Sequence, residues 1–322
     1  MRISIVAFTA TAAVSSMLLA ACGGGADDNG TSAKGLEKTK INVAGLAVVD
    51  DAPLYIARDK GLFKAEGLDV NVTTLTQSTQ AIPGLLRGDI DIDAGGNYVS
   101  FLQAKAKGAI DLRIVADGFH CAPNVLPVLA GRHSKVKGAA GLSGKKIAVN
   151  ITNNVQSMLT DAVLRSENVK PDSVKYVQVP FPEMSTALQR GQVDAASAVE
   201  PFATAMTSKL HARKVLDSCT GPTAGFPLSG VFATNDFVKA NPKTVAAFQR
   251  AYQKAQGLAA APEVVETALP TYTKIDAKTA GAIAIGRFPT TLDEATVQRV
   301  PDLMKASGLL ASPLDVGPLL VK

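Results

Sequence analysis

The sequence has no tryptophan, and aromatic residues make up only 5% of its 322 positions. Aromatic platforms that stack single-stranded bases are therefore not expected. Basic residues are thinly spread: 33 Lys and Arg stand against 28 Asp and Glu, and the densest basic cluster is Lys145-Lys146. A nucleic-acid partner is not expected, because that binding needs a denser basic stripe. The 47% of apolar residues is enough for two domains, each with its own core.

The N-terminus has the features of an export signal. Arg2 precedes an apolar run that ends in Leu19-Ala20-Ala21-Cys22. This ending is typical of bacterial lipoproteins, in which residues 1–21 are removed and Cys22 carries the lipid. Residues 22–39 predict a flexible polar tether. We therefore expect an exported protein, lipid-anchored at the outer face of the cell membrane or in the periplasm. The alternative is an ordinary signal peptide or a membrane span, although the run is short for a bilayer.

Cysteine is scarce, since Cys121 and Cys219 are the only cysteines besides Cys22. In an oxidising compartment such a pair favours a disulfide. Two separate buried thiols are the alternative, because sequence does not show whether the two Cα atoms come close enough. His120 beside Cys121 offers too few ligand types for a metal. We expect no metal and no cofactor.

Alternating strand and helix patterns fill the rest of the chain. Residues 40–48, 68–75 and 112–116 are strand-like, and residues 155–163 carry apolar side chains at the spacing of an amphipathic helix. Val245, Phe248 and Tyr252 share one face of a later helix. This alternation predicts an α/β fold with mostly parallel sheets flanked by helices.

Two segments repeat one pattern. Residues 85–91 and 188–194 each predict a helix end, a glycine cap and a short strand with an Asp. The repeat predicts two lobes whose strand ends face a shared ligand crevice. Alternatively, the two segments are common helix-glycine-strand junctions that resemble each other by chance. Residues 226–234 predict a strand that returns to the first lobe, which makes a hinge with two crossings. We expect lobe 1 at residues 40–132 and 222–322, and lobe 2 at residues 133–221.

Several short motifs follow one another in a family order. They are Ala52-Pro53-Leu54-Tyr55-Ile56-Ala57, Gly61-Leu62-Phe63, Glu66-Gly67-Leu68-Asp69-Val70, Leu142-Ser143-Gly144-Lys145-Lys146-Ile147-Ala148-Val149, Gly191-Gln192-Val193-Asp194-Ala195 and Glu200-Pro201-Phe202. Over residues 40–310 the chain resembles the periplasmic substrate-binding proteins of the nitrate, sulfonate, taurine and thiamine-pyrimidine type. The resemblance implies a two-lobed type II periplasmic-binding-protein fold, a monomer, a small solute in the cleft, and an ABC permease with its ATPase subunit as partners. The chain carries no Gly-rich Walker loop of its own.

The candidate ligand contacts lie in polar turns after strands and at helix starts. In lobe 1 they are Asp50, Asp51, Ser78, Thr79, Asn97 and Tyr98, and in lobe 2 Asn150, Thr152, Asn153, Asn154 and Glu200. Acids near the cleft repel a bare anion unless a basic side chain nearby balances their charge. Arg58 and Lys60 are close in sequence, but we expect them to face solvent. We therefore expect an amine-bearing or heteroaromatic solute rather than nitrate, sulfonate or taurine. Alternatively, Asp50 or Asp51 caps the helix, and Tyr98 packs in the core.

An enzyme is the rival function class, because pyrimidine synthases and chorismate dehydratase-like proteins share this fold. The family of those synthases has a Cys-rich motif and a substrate His, and the chain has no Cys cluster. His120, His133 and His211 lie outside the expected cleft loops, and no Ser-His-Asp order stands out. We expect a binding protein without catalytic residues.

Overall fold

A computed structural model describes residues 35–322. The predicted signal peptide, Cys22 and most of the predicted tether lie outside the described residues. None of the helices from residue 35 onward is long and apolar enough to cross a membrane.

Strands and helices alternate along the described residues, as the sequence pattern predicts. The strands are β1 (Lys40–Leu46), β2 (Asp69–Leu75), β3 (Ile92–Asn97), β4 (Leu112–His120), β5 (Pro127–Ala130), β6 (Lys146–Val149), β7 (Lys175–Gln178), β8 (Ala195–Ser197), β9 (Arg213–Asp217) and β10 (Pro227–Thr234). The helices are α1 (Ala52–Asp59), α2 (Leu62–Ala65), α3 (Ala81–Arg87), α4 (Tyr98–Ala106), α5 (Val155–Ser166), α6 (Phe181–Gln189), α7 (Phe202–Leu210), α8 (Asn235–Ala240), α9 (Pro242–Ala259), α10 (Pro262–Tyr272), α11 (Ala277–Ala280) and α12 (Glu294–Ala306).

The strands form two sheets of the same design. The first has the order β2-β1-β3-β10-β4 and the second β7-β6-β8-β5-β9. In each sheet the first three strands are parallel, and β10 or β5 runs antiparallel between its neighbours. Helices connect the parallel strands, which is the usual crossover. The predicted α/β class is confirmed.

The chain passes from the first sheet to the second earlier than the sequence suggests. Strand β5 pairs with β8 and β9, so the outward crossing lies between His120 and Pro127 rather than at residue 132. The return crossing lies between Asp217 and Pro227. Strand β5 has only four residues, all of them buried, and its sequence does not indicate to which of the two sheets it belongs. The hydrophobic pattern therefore assigns it to the wrong half.

The two repeated segments are structurally equivalent. Asp91 Oδ2 accepts a hydrogen bond from Asn42 N of β1 at 2.9 Å, and Asp194 Oδ2 accepts one from Lys146 N of β6 at 2.8 Å. Each Asp thereby ties the start of its strand to the first strand of its own sheet. Gly88 and Gly191 both have a left-handed φ, 78° and 68°, which glycine adopts without strain. The repeat therefore describes two similarly built halves.

The first sheet is packed by the long helix α9. Val245, Phe248 and Tyr252 are all buried, so the predicted apolar face is confirmed. Phe248 stacks between Phe63 and Tyr252, with ring centroids 5.2 and 5.6 Å away. This stacking joins α9 to α2 in the core of the first half.

Candidate ligand-binding cleft

A cavity lies between the two sheets, where the parallel strands end. The end of β1, the turn at 49–51 and the end of β3 contribute its first wall, together with Ser229 of β10. The turn after β6 and the starts of α5 and α6 contribute the second. Its volume is about 50 Å³, which is room for a few waters or one small functional group. Open α/β sheets bind ligands at this edge.

Direct hydrogen bonds between the two halves account for the narrow cavity. Gln77 Nε2 donates to the carbonyl of Asn150 at 2.8 Å, and Gln103 Nε2 donates to the carbonyl of Asn153 at 3.3 Å. Near the hinge, Val49 N donates to the carbonyl of Glu200 at 3.0 Å. The structure therefore has the halves drawn together, and a solute larger than the cavity requires them to part.

Two adjacent carboxyls form the most polar part of the first wall. Asp51 is fully buried; its Oδ2 accepts a hydrogen bond from Leu46 N, and its Oδ1 has no partner. Asp50 Oδ1 is also buried without a partner. Burial raises the pKa of Asp50 to about 7. Burial, with the nearby Asp50 charge as a smaller cause, raises the pKa of Asp51 well above its usual range. Neither carboxyl caps helix α1, because no side-chain cap bond forms there.

A glycine and a third acid support this acidic wall from strand β3. A Cβ at Gly95 would lie 2.7 Å from Asp51 Oδ1, so the carboxyl occupies space that any other residue would fill. Asp93 is buried behind it, with Oδ2 unpartnered. Burial, and then the charge of Asp51, raises the pKa of Asp93.

An amide network forms the second wall. Asn154 Oδ1 caps helix α5 by accepting from Gln156 N at 3.1 Å. Gln156 Oε1 accepts from Asn150 N at 2.7 Å, and Gln156 Nε2 donates to the carbonyl of Ser197 at 2.6 Å. Asn150 Oδ1 is buried and has no partner. A ligand N–H group could satisfy this acceptor.

The structure brings together six of the eleven predicted contact residues. Those lining the cavity are Asp50, Asp51, Ser78, Asn97, Asn150 and Asn154. Thr79, Thr152 and Asn153 do not line it, and Thr152 and Asn153 are exposed. All three lie in the predicted turns, but the cavity is lined by their neighbours, among them Ser78 and Asn154.

Tyr98 and Glu200 do not line the cavity either. Tyr98 is fully buried in the first half, where its hydroxyl donates to Asp117 Oδ1 at 2.9 Å, so its role is core packing. The Glu200 carboxylate turns back onto helix α7 and accepts from Thr204 N and Thr204 Oγ1, at 3.0 and 2.8 Å. Ala284 N donates to it from the other half, at 3.2 Å.

Gly95, Gln156 and Ser229 line the cavity although the sequence patterns do not predict them as contact residues. Ser229 Oγ is buried without a partner at the cleft. It lies on β10, far along the chain from the other first-wall residues, and only the returning strand brings it there. The sequence does contain an indication for Gln156, because a polar side chain on the buried face of α5 needs a hydrogen-bond partner. Phe181, an aromatic residue for which the sequence leaves open a place in the cleft wall or beneath the turn, lines the cavity and stacks on Phe202, with ring centroids 5.6 Å apart.

The charge of the cavity is one-sided. Its described lining includes Asp50 and Asp51 but no Lys, Arg or His. Arg58 pairs with Asp59 and lies over the Tyr55 ring, while Lys60 is exposed. Between residues 35 and 322, no group of three or more His, Cys, Asp or Glu is placed to hold a metal ion.

A disulfide lies at the hinge. Cys121 and Cys219 are bonded, with their Cα atoms 5.1 Å apart. Cys121 follows β4 on the outward crossing and Cys219 follows β9 on the return crossing. The bond therefore joins the two segments that connect the halves.

Two sheets of this order, joined by two crossings around a polar cleft, define the type II periplasmic substrate-binding fold. The alkanesulfonate-binding protein SsuA of Xanthomonas axonopodis pv. citri, solved with MOPS bound, has this fold: its TM-score is 0.73 at 20% identity, over 88% of this chain and 98% of that one. Residues 49–263 match the model of the NMT1/THI5-like family. The chain belongs to that family, and the resemblance seen in its motifs is confirmed.

Two proteins of Bacillus subtilis (strain 168) are similar in sequence. The binding protein YtlA is 26% identical over 221 residues, which is 68% of this chain and 65% of YtlA, just under two thirds of its length. A protein named for binding aliphatic sulfonates is 28% identical over 250 residues, which is 74% of this chain and 69% of that protein.

Proposed function

We propose that the chain is the solute-binding component of an ABC importer, acting outside the cytoplasm. It captures a small molecule between its two halves and delivers it, unaltered, to a permease with its ATPase subunit. Membership of the NMT1/THI5-like family and the similarity to binding proteins support this role. The two halves move about the crossings near Cys121 and Cys219, and the protein acts as a monomer.

We infer that the solute carries N–H donors, as an amine or on a heteroaromatic ring, rather than a bare sulfonate or nitrate. The observation that carries this inference is the pair of buried carboxyls, Asp50 and Asp51, in a cavity without a basic side chain in its described lining. An anion there would find no basic side chain to balance its charge, and the ionised fraction of Asp50 and Asp51 would repel it. A cation or N–H group would instead satisfy the free oxygens of Asp50 and Asn150.

We also propose the lipoprotein route of export. Removal of residues 1–21 would leave Cys22 as the lipidated N-terminus, and residues 22–39 would tether the binding domain to the membrane. Mass spectrometry of the membrane fraction tests this: a diacyl or triacyl modification on Cys22 is expected. A water-soluble protein with an unmodified Cys22 would contradict it.

A thermal-shift screen tests the binding role and the solute class together. The purified protein is heated with amines, pyrimidines, sulfonates, taurine and nitrate, since a ligand that binds the folded state raises the melting temperature. We expect shifts with amine or pyrimidine compounds, and unaltered compound by mass spectrometry afterwards. A shift with sulfonate or nitrate alone would overturn the solute class. Conversion of a compound that binds would overturn the binding role in favour of an enzyme.

A further inference from the structure

A second pocket lies beside β4, the edge strand of the first sheet. It has a volume of about 810 Å³, within the range of small-molecule sites, and shares no lining residue with the cleft cavity. Its walls are the end of β4, the segment 285–291, the start of α12 and the return crossing at Ala224 and Gly225.

Two guanidinium groups converge on one residue of this pocket. Arg299 Nη1 donates to the carbonyl of Gly225 at 3.2 Å, and its Nη2 donates to the carbonyl of Ala224 at the same distance. Arg287 reaches the same glycine from the opposite segment: its Nη2 lies 2.8 Å from where a Cβ at Gly225 would be. The guanidinium of Arg299 also lies over the Phe226 ring, 5.4 Å from its centroid.

These two charges have no acidic partner among residues 35–322. No ion pair involves either arginine there, and the guanidinium of Arg287 makes no hydrogen bond. Each of the two acids in the pocket is already engaged. Asp117 accepts from Tyr98 and contacts His120 Nε2 at 2.8 Å, and Asp293 caps helix α12. Two guanidinium groups that converge without an ion-pair partner can share a bound anion as their counter-ion.

The polar groups around the arginines suit an oxyanion. Each guanidinium has five N–H donors, so Arg299 retains three after its two carbonyl bonds. The hydroxyls of Thr290 and Thr291 line the same pocket. Arginine pairs with carboxylate and phosphate through two parallel N–H bonds. We propose that this pocket binds a soluble oxyanion, a phosphate or carboxylate group held between Arg287 and Arg299.

The proposal is independent of the solute that fills the cleft, because the two pockets share no lining residue. Isothermal titration calorimetry of the purified protein tests it with pyrophosphate in one arm and citrate in the other, at about 0.15 M salt to screen loose surface pairing. Saturable binding of one equivalent of either probe is expected. The probe that binds with the higher affinity indicates whether the pocket prefers a phosphate or a carboxylate group.

Substitutions locate the bound anion. We expect R287Q to weaken the affinity at least tenfold while leaving the melting temperature of the free protein unchanged, because Arg287 is exposed. R299Q serves as a second variant and should weaken it similarly. The matched control, R190Q, removes an exposed arginine from the other half and should leave the affinity unchanged.

Three results would overturn the proposal. One is the absence of saturable binding with both probes. Another is equal weakening by R287Q and R190Q, which would indicate diffuse surface attraction. The third is loss of oxyanion binding in the cleft variant D51N, which would place the anion in the cleft instead.

Discussion

The carboxyl of Asp51 fills the space that a side chain on Gly95 would need. A Cβ at position 95 would lie 2.7 Å from Asp51 Oδ1, and a Cβ at Gly45 would lie 2.9 Å from Asp51 Oδ2. Strands β1 and β3 therefore each supply a glycine where the acid enters. This arrangement keeps Asp51 buried beside the cleft, and the character of the site depends on it.

Substitution of Gly95 by alanine tests this dependence. In G95A the methyl group would displace the Asp51 carboxyl, and overpacking of this kind typically lowers the free energy of unfolding by about 1–3 kcal/mol. Solute affinity should fall at least tenfold, as measured by calorimetry with a ligand from the screen.

The matched control is G131A. Nothing lies within 4 Å of a Cβ at Gly131, and no positive φ restricts that position. Its melting temperature and solute affinity should equal those of the wild type. If G95A had the same melting temperature and solute affinity as G131A, the close contact between Asp51 and Gly95 would contribute neither to stability nor to binding.

Asp50 should make the stability of the ligand-free protein depend on pH. Its pKa is raised by burial to about 7 in the folded protein, so the folded state holds a proton that the unfolded state has lost. The contribution to the free energy of unfolding is full below the ordinary pKa of the acid and declines as pH rises through about 7. In D50N this contribution is absent.

The measurement for this effect is urea unfolding of the wild type and D50N between pH 4 and pH 8. Asp51 and Asp93 also have raised pKa values and act in the same direction, so the difference between the two proteins isolates Asp50. The decline with pH should be shallower in D50N. Parallel curves would mean that Asp50 does not titrate in this range.

Binding of a cationic solute should release a proton near neutral pH. A bound cation favours the ionised form of Asp50, which is only partly present at its pKa of about 7. Affinity should therefore rise between pH 6 and pH 8, by at most about tenfold per unit. Calorimetry in buffers of different ionisation enthalpy measures the released proton directly. A D50N protein with the same pH dependence would assign the proton to another group.

The disulfide should stabilise the whole binding domain. Cys121 and Cys219 are separated by 98 residues, and a bond that closes so long a loop typically contributes about 2–4 kcal/mol. The double variant C121S/C219S should therefore unfold at lower urea concentration than the wild type. Reducing the wild type should have a similar effect, whereas the variant should be insensitive to reductant. Equal stability of oxidised and reduced wild type would contradict this.

The sequence predicts the helices and strands well, because the residue patterns that indicate them lie within each segment. Val245, Phe248 and Tyr252 repeat at helical spacing, and all are buried in α9. Asp91 and Asp194 occupy matching positions in a repeated segment, and each binds the first strand of its own sheet. The assignment of β5 to the second sheet has no such local signal, since its partners lie far along the chain.

The candidate site is predicted only in part, because side-chain direction depends on distant neighbours. Tyr98 follows the cleft residue Asn97, yet Asp117 of β4 draws its hydroxyl into the core. Glu200 follows β8 as expected, but its carboxylate already accepts hydrogen bonds from Thr204 N and Ala284 N and so turns away from the cleft. Ser229 reaches the cleft only because β10 returns from the second half.

The central claim is that the cleft selects its solute by N–H donors and positive charge. Calorimetry at about pH 8 tests it most directly, with compounds in pairs that share one skeleton and differ only in carrying an amine or a sulfonate. We predict saturable binding of an amine, no binding of its sulfonate partner, and loss of amine binding in D51N. A sulfonate that binds more tightly than its paired amine would contradict the claim.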